Sequence, residues 1–583
     1  MLKGMLKRGL GVVAAAAMAV TGMAALSGTA NAAVQSCNSR ECTITISGSE
    51  SQIDGHAFKY VKVASYDVYG AASNETEVLT LVTNPDIYDH VVKAVETATG
   101  EEVPTSEVTG KKVDPLAWAQ QQDSAKLDDS HIKPWFGTTG TTRRFADTLR
   151  DVLSKDTEVI FGDAILTVSD PDNDGNVTAS FTVDSPGLYL IVDQNAVDSK
   201  PATDTDPAVT GSTKAVPMLV GTKLVLNENT NNEVKYSDGT VDMKNDVMSI
   251  TKTVNGSDHD SVQTGDYAKY EINTHVPQYA GYQVAGYQFT ITDKFADDAP
   301  LAYAIDDETH PLTVTVNGQQ LAKDVDYTIT VSEDNSKTFT IDLTPYIMRV
   351  SADEIPAADA TFINADLAGA PVVVSYYALV TGTTPEDGAI NTATVKYPND
   401  PTDNSKFEEM PSPETKVFNF DYIVSKIDRV TDEPLKGATF AIYEKGSNDY
   451  LQTYTTGEDG VAQFYGLKGS EEGTTYTIKE IKAPEGYLNI GVKFDVKITA
   501  YIEGENATAH VESVQYEVSG DMWNIISDEG ESRVVVENVK NITQLPLTGA
   551  AGTMLFTVLG LLIAAAGVTV YMKSRSVRKA MRA

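Results

Sequence analysis

The stretch Pro371–Val380 reads PVVVSYYALV, and Val372, Val374, Tyr376 and Ala378 fall on every second position. A two-residue period puts all four on one face of an extended strand, so the segment calls for a sheet with a buried face. The same alternation recurs around it. One segment opens at MSITKTVNG, containing Lys252, and closes at GAINTATVKY, containing Asn391. This predicts a β-sandwich whose first and last strands are neighbours. The next segment repeats the plan, from FDYIVSKID with Lys426 to RVVVENVKN with Asn538. A lysine on the first strand and an asparagine on the last thus occur twice.

The region from about Glu41 to Thr240 is less regular. It mixes strands such as GLYLIVD with a helix after TTRRF, where Phe145, Leu149, Val152 and Leu153 recur at helical spacing. It reads as a β-rich domain with helical insertions. SDPDNDGNV sets Asp170, Asp172, Asp174 and Gly175 at calcium-loop spacing, but Phe181 stands where a bidentate glutamate belongs, so a hairpin turn is the expectation.

Both ends of the chain carry apolar runs. Lys3, Lys7 and Arg8 precede the stretch from Leu10 to Leu26, which ends in small residues around Ala30-Asn31-Ala32. This predicts a secretory signal peptide, cleaved after Ala32 or Ala33. At the other end, QLPLTGAAGTMLF passes in one step from polar chain to an uncharged run, Ala550 to Met572. As a helix rising about 1.5 Å per residue, that run covers the roughly 30 Å hydrocarbon core of a bilayer. Lys573, Arg575, Arg578, Lys579 and Arg582 follow it and hold that side in the cytoplasm, which places the bulk of the chain outside. Just before the run, Pro546 pushes Leu545 towards an extended shape and Gly549 leaves the next bond unhindered. The pentapeptide is therefore expected as an exposed, cleavable segment.

About 510 residues lie between these ends, room for three or so domains. A net charge of −37 excludes nucleic acid as a partner, because a phosphate backbone repels such a surface. The only cysteines are Cys37 and Cys42. In an oxidising exterior they are expected to form a local disulfide, which closes too small a loop to contribute more than about 2 kcal/mol. With so few cysteines, something else must hold an extracellular chain together.

Signal peptide, Leu545-Pro546-Leu547-Thr548-Gly549, apolar span and basic tail, in that order, resemble the sorting signal of Gram-positive surface proteins, whose pattern is LPxTG. The resemblance implies that a membrane sortase cuts between Thr548 and Gly549 and holds the threonine carbonyl as a thioester until an amine takes it. The two sandwich segments resemble the collagen-adhesin immunoglobulin-like domains CnaA and CnaB, which form Lys–Asn isopeptide bonds by themselves. Within the second, YTIKEIKAPEGY is similar to the pilin E-box, and its acid falls on Glu480. In the first, the matching acid is Asp293 of FTITDKF, expected on a central strand. The chemistry needs an amine kept neutral by burial, an asparagine carboxamide to attack, and a protonated acid that polarises the amide and shuttles protons as ammonia leaves. Taken singly, a strand lysine or glutamate is a solvated edge residue and a late asparagine a turn cap. The ordered set is what points to cross-linking.

Shaft subunits of this kind carry a pilin motif, VYPKN at its core, whose lysine receives the next subunit's threonine. TVDMKND matches it at Val241, Lys244 and Asn245 and departs at Asp242-Met243. VKYPND is the rival match, but it has Lys396 before Tyr-Pro and Asn399 in the lysine's place; Lys235 is a further candidate, and Lys244 is preferred.

The expectation is a mainly β chain: signal peptide 1–32, an N-terminal β-rich domain 33–240, a CnaA-like domain 241–415, a CnaB-like domain 416–543, and a sorting signal with transmembrane helix and basic tail 544–583. The resemblance implies a cell-wall-anchored structural subunit of a covalently polymerised pilus, with no metal or cofactor. Its implied partners are sortase, identical subunits, accessory pilins, peptidoglycan and host surface ligands. An accessory pilin or a non-polymerising wall adhesin is the alternative. A wall-anchored hydrolase is a third reading, disfavoured because no Ser-His-Asp, HExxH or paired-carboxylate signature stands out and the seven histidines are scattered singly.

Overall fold

The computed structural model describes residues 42–69, 78–120, 127, 141–200, 210–226, 234–278, 287–332, 337–347, 367–401, 403, 405–545, 557–558, 560–561 and 563–573. The signal peptide, Cys37 and residues 546–549 of the sorting motif lie outside them. Cys42 is buried and disulfide-bonded. Strands dominate, and the apolar core divides into successive clusters along the chain.

In the N-terminal part, one sheet joins Thr43–Ser49 to Asn176–Thr182 on one side and, in parallel, to Thr240–Asp242 on the other. A second sheet runs in the order Val78–Thr83, Phe58–Tyr69, Leu188–Asp193, Met218–Gly221. Strand Leu188–Asp193 is the GLYLIVD segment, and its two faces serve two cores. Tyr189 and Ile191 point into the space between the sheets, while Leu188 and Leu190 meet the helices. Helix Thr141–Leu153 buries Phe145, Leu149 and Leu153 there, with Val152 at the margin, and Tyr88–Thr99 packs beside it. The aspartate-rich loop forms a turn before strand Asn176–Thr182. Asp172 accepts from the amides of Asp174 and Asn176, and Gly175 takes φ +76°. Among the described residues no group of acidic, histidine or cysteine side chains is placed to hold a metal ion.

The middle part is a two-sheet sandwich. One sheet orders Thr251–Val254, Tyr267–His275, Pro371–Val380 and Thr313–Val316. The other places Thr290–Phe295 between Ala389–Pro398 and Thr338–Asp342, and it ends in Thr415–Phe418 paired with His259–Ser261. Strand Pro371–Val380 alternates strictly, with Val372, Val374, Tyr376, Ala378 and Val380 inside. The opening strand with Lys252 and the closing strand with Asn391 belong to opposite sheets. They face each other across the core and are not hydrogen-bonded neighbours, a correction to the sequence expectation. Alternation fixes which side chains point inward but not which sheet a strand joins.

The third part pairs Phe420–Asp428 in parallel with Arg533–Asn538, bringing first and last strands side by side. A five-stranded sheet containing Thr439–Glu444, Thr474–Lys482 and Lys493–Glu503 covers them. Polar contacts link successive parts. Lys214 meets Asp400 at 3.3 Å, and Ser199 donates to Glu408 through its amide (2.7 Å) and hydroxyl (2.6 Å). Further along, Lys416 Nζ donates to the carbonyls of Ala507 and Ala509, and Tyr476 donates to Gln263. Residues 563–572 of the expected membrane span are helical. Among the described residues no helix is long and apolar enough to cross a membrane.

Candidate functional site

Two buried constellations draw together the residues singled out in the sequence. In the third part, Lys426 and Asn538 lie on adjacent parallel strands, with Lys426 opposite Val536 and Asn538 opposite Asp428. Both point inward, and both are fully buried. Glu480 reaches them from strand Thr474–Lys482 of the covering sheet, its carboxylate 3.2 Å from Lys426 Nζ. Apart from that contact neither carboxyl oxygen has a hydrogen-bond partner, and Asn538 Nδ2 has none among the described residues. Burial pushes the lysine down from its ordinary value, opposed by Glu480, and pushes Glu480 up. The shifts favour a neutral amine beside a protonated carboxyl, because taking either charge out of water is costly.

Local sequence sets this geometry. Gly460 sits at φ +69° against the Lys426 strand, and a Cβ there would come 2.5 Å from the Lys426 carbonyl oxygen. Only glycine fits so close an approach. The E-box tail closes the other side. Tyr487 donates to Asp428 Oδ2 at 2.5 Å, and the Leu488 amide donates to the Val539 carbonyl. The motif thus carries the acid and also clips its own loop to the two strands that bear the amine and the amide.

In the middle part, Lys252 projects from one sheet while Asp293 and Asn391 project from the other, where Asn391 pairs with Phe295 and Asp293 with Ala393. Lys252 Nζ contacts Asp293 Oδ2 directly, and both side chains are sealed from solvent. Burial lowers the lysine below its usual range, opposed by Asp293. Sequence reasoning missed two tyrosines here. Tyr376 OH lies 3.0 Å from Lys252 Nζ, 2.7 Å from Asp293 Oδ2 and 2.8 Å from Asn391 Nδ2. Tyr303 OH donates to Asp293 Oδ1 at 2.9 Å. Stacked rings, Tyr270 on Tyr376 and Phe295 on Tyr303, wall the cavity. Alternation marks Tyr376 as a core residue, but the place of its hydroxyl depends on how two sheets face each other.

The candidate acceptor lysines sit differently. Lys244 is half-buried just beyond the edge strand Thr240–Asp242, and its carbonyl accepts from the Val216 amide at 3.0 Å. Lys396 lies on the closing strand of the middle sandwich, 3.3 Å from Glu409 and over the Phe407 ring. Next to Lys244, Asn245 is buried and donates to the Gln52 carbonyl. Its Nδ2 is also 3.3 Å from His56 Nε2, which bonds Ser212 Oγ at 2.8 Å, while His56 Nδ1 bonds Asp193 at 2.7 Å. A Ser-His-Asp order therefore exists, assembled from distant positions that no local motif reveals. It is buried throughout and, through Asn245, fastens the segment that carries Lys244.

Leu545, the first residue of the sorting pentapeptide, is extended as expected, with φ −68° and ψ 147°. It is not exposed: it packs into the third apolar cluster at 5% exposure. An apolar side chain one turn from a sandwich buries itself where it can, and proline's local stiffness does not prevent this.

Residues 420–512 match the family model of the SpaA prealbumin-like fold domain, and residues 537–577 match the LPXTG cell wall anchor motif. The trypsin-resistant surface T6 protein of Streptococcus pyogenes serotype M6 is 23% identical over 397 residues, 57% of this chain and 69% of its own length. Among solved structures, the T6 backbone pilin of the same serotype aligns at a TM-score of 0.43 and 16% identity, covering 86% of this chain and 98% of its own. The major pilin SpaA of Corynebacterium diphtheriae aligns at 0.38 and 16%, covering 86% and 100%.

Proposed function

We infer that the chain is a structural subunit of a covalently polymerised pilus, anchored to the Gram-positive cell wall and displayed at the surface; it is not an enzyme. The observation that carries this is the anchor motif matched at 537–577, C-terminal to the SpaA-type match at 420–512, in a part of the chain where Lys426, Glu480 and Asn538 are buried together. Sortase processes the motif and joins subunits. In our reading Thr548 is the carbonyl handed on, and Lys244, at the junction between the N-terminal and middle parts, is the amine that takes it. Accessory pilins, peptidoglycan and host surface ligands are the further partners of this reading.

Inside each subunit, Lys426 condenses with Asn538 and Lys252 with Asn391, each releasing one ammonia. Burial supplies a neutral amine, and Glu480 or Asp293 polarises the amide and returns protons. The rod then needs no disulfides between its strands.

The test is a denaturing gel of cell-wall extract followed by tandem mass spectrometry. A boiling-resistant ladder with a branched peptide joining Thr548 to Lys244 is expected. A branch at Lys396 or Lys235 would keep the pilus and discard Lys244. A single anchored band without any branch would favour a non-polymerising wall adhesin.

A further inference from the structure

We propose that Tyr376 is a catalytic residue of the middle-domain condensation, relaying a proton from Asp293 to the departing nitrogen of Asn391. This rests on the reading that Lys252 and Asn391 condense.

The net reaction moves one proton. The Lys252 amine loses one hydrogen as its nitrogen bonds to Asn391 Cγ, and Asn391 Nδ2 gains one as the Cγ–Nδ2 bond breaks and ammonia leaves. Some group must carry that hydrogen between two nitrogens on opposite sheets. Asp293 Oδ2 touches the first, through its contact with Lys252 Nζ. Asn391 Nδ2 makes no hydrogen bond to Asp293 among the described residues; its partner is the Tyr376 hydroxyl, at 2.8 Å. The same hydroxyl is 2.7 Å from Asp293 Oδ2. The path is therefore continuous: Oδ2 accepts the proton from Nζ, Tyr376 gives its own proton to Nδ2, and Oδ2 refills Tyr376. Once attack has made the carbon tetrahedral, Nδ2 is amine-like and basic enough to accept. Tyrosine and aspartate end as they began.

The second site has no such hydroxyl. There the acid is a glutamate, one methylene longer, and no hydroxyl bonds its carboxyl oxygens or Asn538 Nδ2. In the middle part Asp293 bonds the amine, and Tyr376 spans the remaining gap to the leaving nitrogen. Tyr303, which donates to Asp293 Oδ1, holds the carboxyl so that Oδ2 faces the relay. Burial also keeps Tyr376 well above its ordinary value, so it remains a neutral donor.

The experiment follows both cross-links in freshly translated full-length chain by digestion and mass spectrometry over time. Tyr376→Phe keeps the ring and removes the relay, so the Lys252–Asn391 branch should form about 100-fold more slowly or not at all, in line with the usual worth of a positioned proton donor. The Lys426–Asn538 branch should form at its normal rate in the same molecules. Adding Asp293→Glu to Tyr376→Phe should restore the middle branch, because the longer acid reaches the leaving nitrogen itself. A Tyr376→Phe chain that forms the branch at the wild-type rate overturns the relay. So does a slowed variant that Asp293→Glu fails to rescue, which would assign Tyr376 to packing alone. A wild-type chain lacking the Lys252–Asn391 branch would instead refute the condensation itself.

Discussion

Glu480 is the acid that faces Lys426, and its removal should be visible on a balance. In Glu480→Ala the lysine and asparagine still meet, but an amide without a proton donor is a poor electrophile. Measured against its own sequence mass, the secreted variant should therefore fall short by one ammonia fewer than wild type, and an unchanged shortfall would remove Glu480 from the mechanism. The pH profile of bond formation is a second residue-scale test. Burial lowers Lys426, so its neutral form persists to lower pH than an exposed lysine's; burial raises Glu480, so its proton persists to higher pH than an exposed carboxyl's. The reactive pair is neutral amine with protonated acid, lost on the acid side by protonation of the amine and on the alkaline side by ionisation of the carboxyl. A profile that falls at each end is expected, its edges belonging to the pair rather than to either residue. A rate that climbs steadily to about pH 10, as for an exposed lysine, would contradict the assignment.

At the scale of elements, the proposed tie in the third part would join two adjacent parallel strands and close almost the whole domain into a loop. By analogy with a disulfide closing about 100 residues, it should contribute roughly 4–5 kcal/mol by restricting the unfolded chain. Asn538→Ala should lower the denaturation midpoint accordingly and speed amide exchange along Ile526–Glu531 and Arg533–Asn538, whose hairpin would then be held by hydrogen bonds and the burial of Val534 and Val536 alone. Equal midpoints would mean that the bond does not form in the wild type. Much of this architecture was legible beforehand. Alternation gave Pro371–Val380 and its inward face, helical spacing gave the helix that carries Phe145, Leu149 and Leu153, and each lysine singled out lies against its singled-out acid. What escaped the sequence depends on three-dimensional pairing. The opposite-sheet placement of Lys252 and Asn391, the bridging hydroxyl of Tyr376 and the His56 cluster join positions far apart in the chain. The burial of Leu545 escaped for another reason, since a local rule about proline says nothing of a nearby apolar surface.

For the whole molecule, the two partners of the sortase reaction separate cleanly by mutation. Lys244→Ala should leave monomer anchored to the wall, because the thioester still forms and peptidoglycan's amine resolves it; deleting Leu545 to Gly549 should abolish both polymer and anchoring. Lys244→Arg should fail like alanine, since a guanidinium keeps its proton and cannot attack. Polymer in either lysine variant would move the acceptor elsewhere. The positions of these groups along the chain also fix how a stretched fibre would carry tension. On the proposed linkages, a pull arriving at Thr548 would pass to Asn538 and through the cross-link to Lys426. From there it would run to Asn391, cross to Lys252, and leave at Lys244 into the next subunit. The folded interiors of both sandwiches would be bypassed, and the N-terminal part would lie outside the line of force. That part could therefore yield and recover under load without lengthening the fibre, and its buried histidine cluster, a non-covalent fastening, is sufficient where no tension passes.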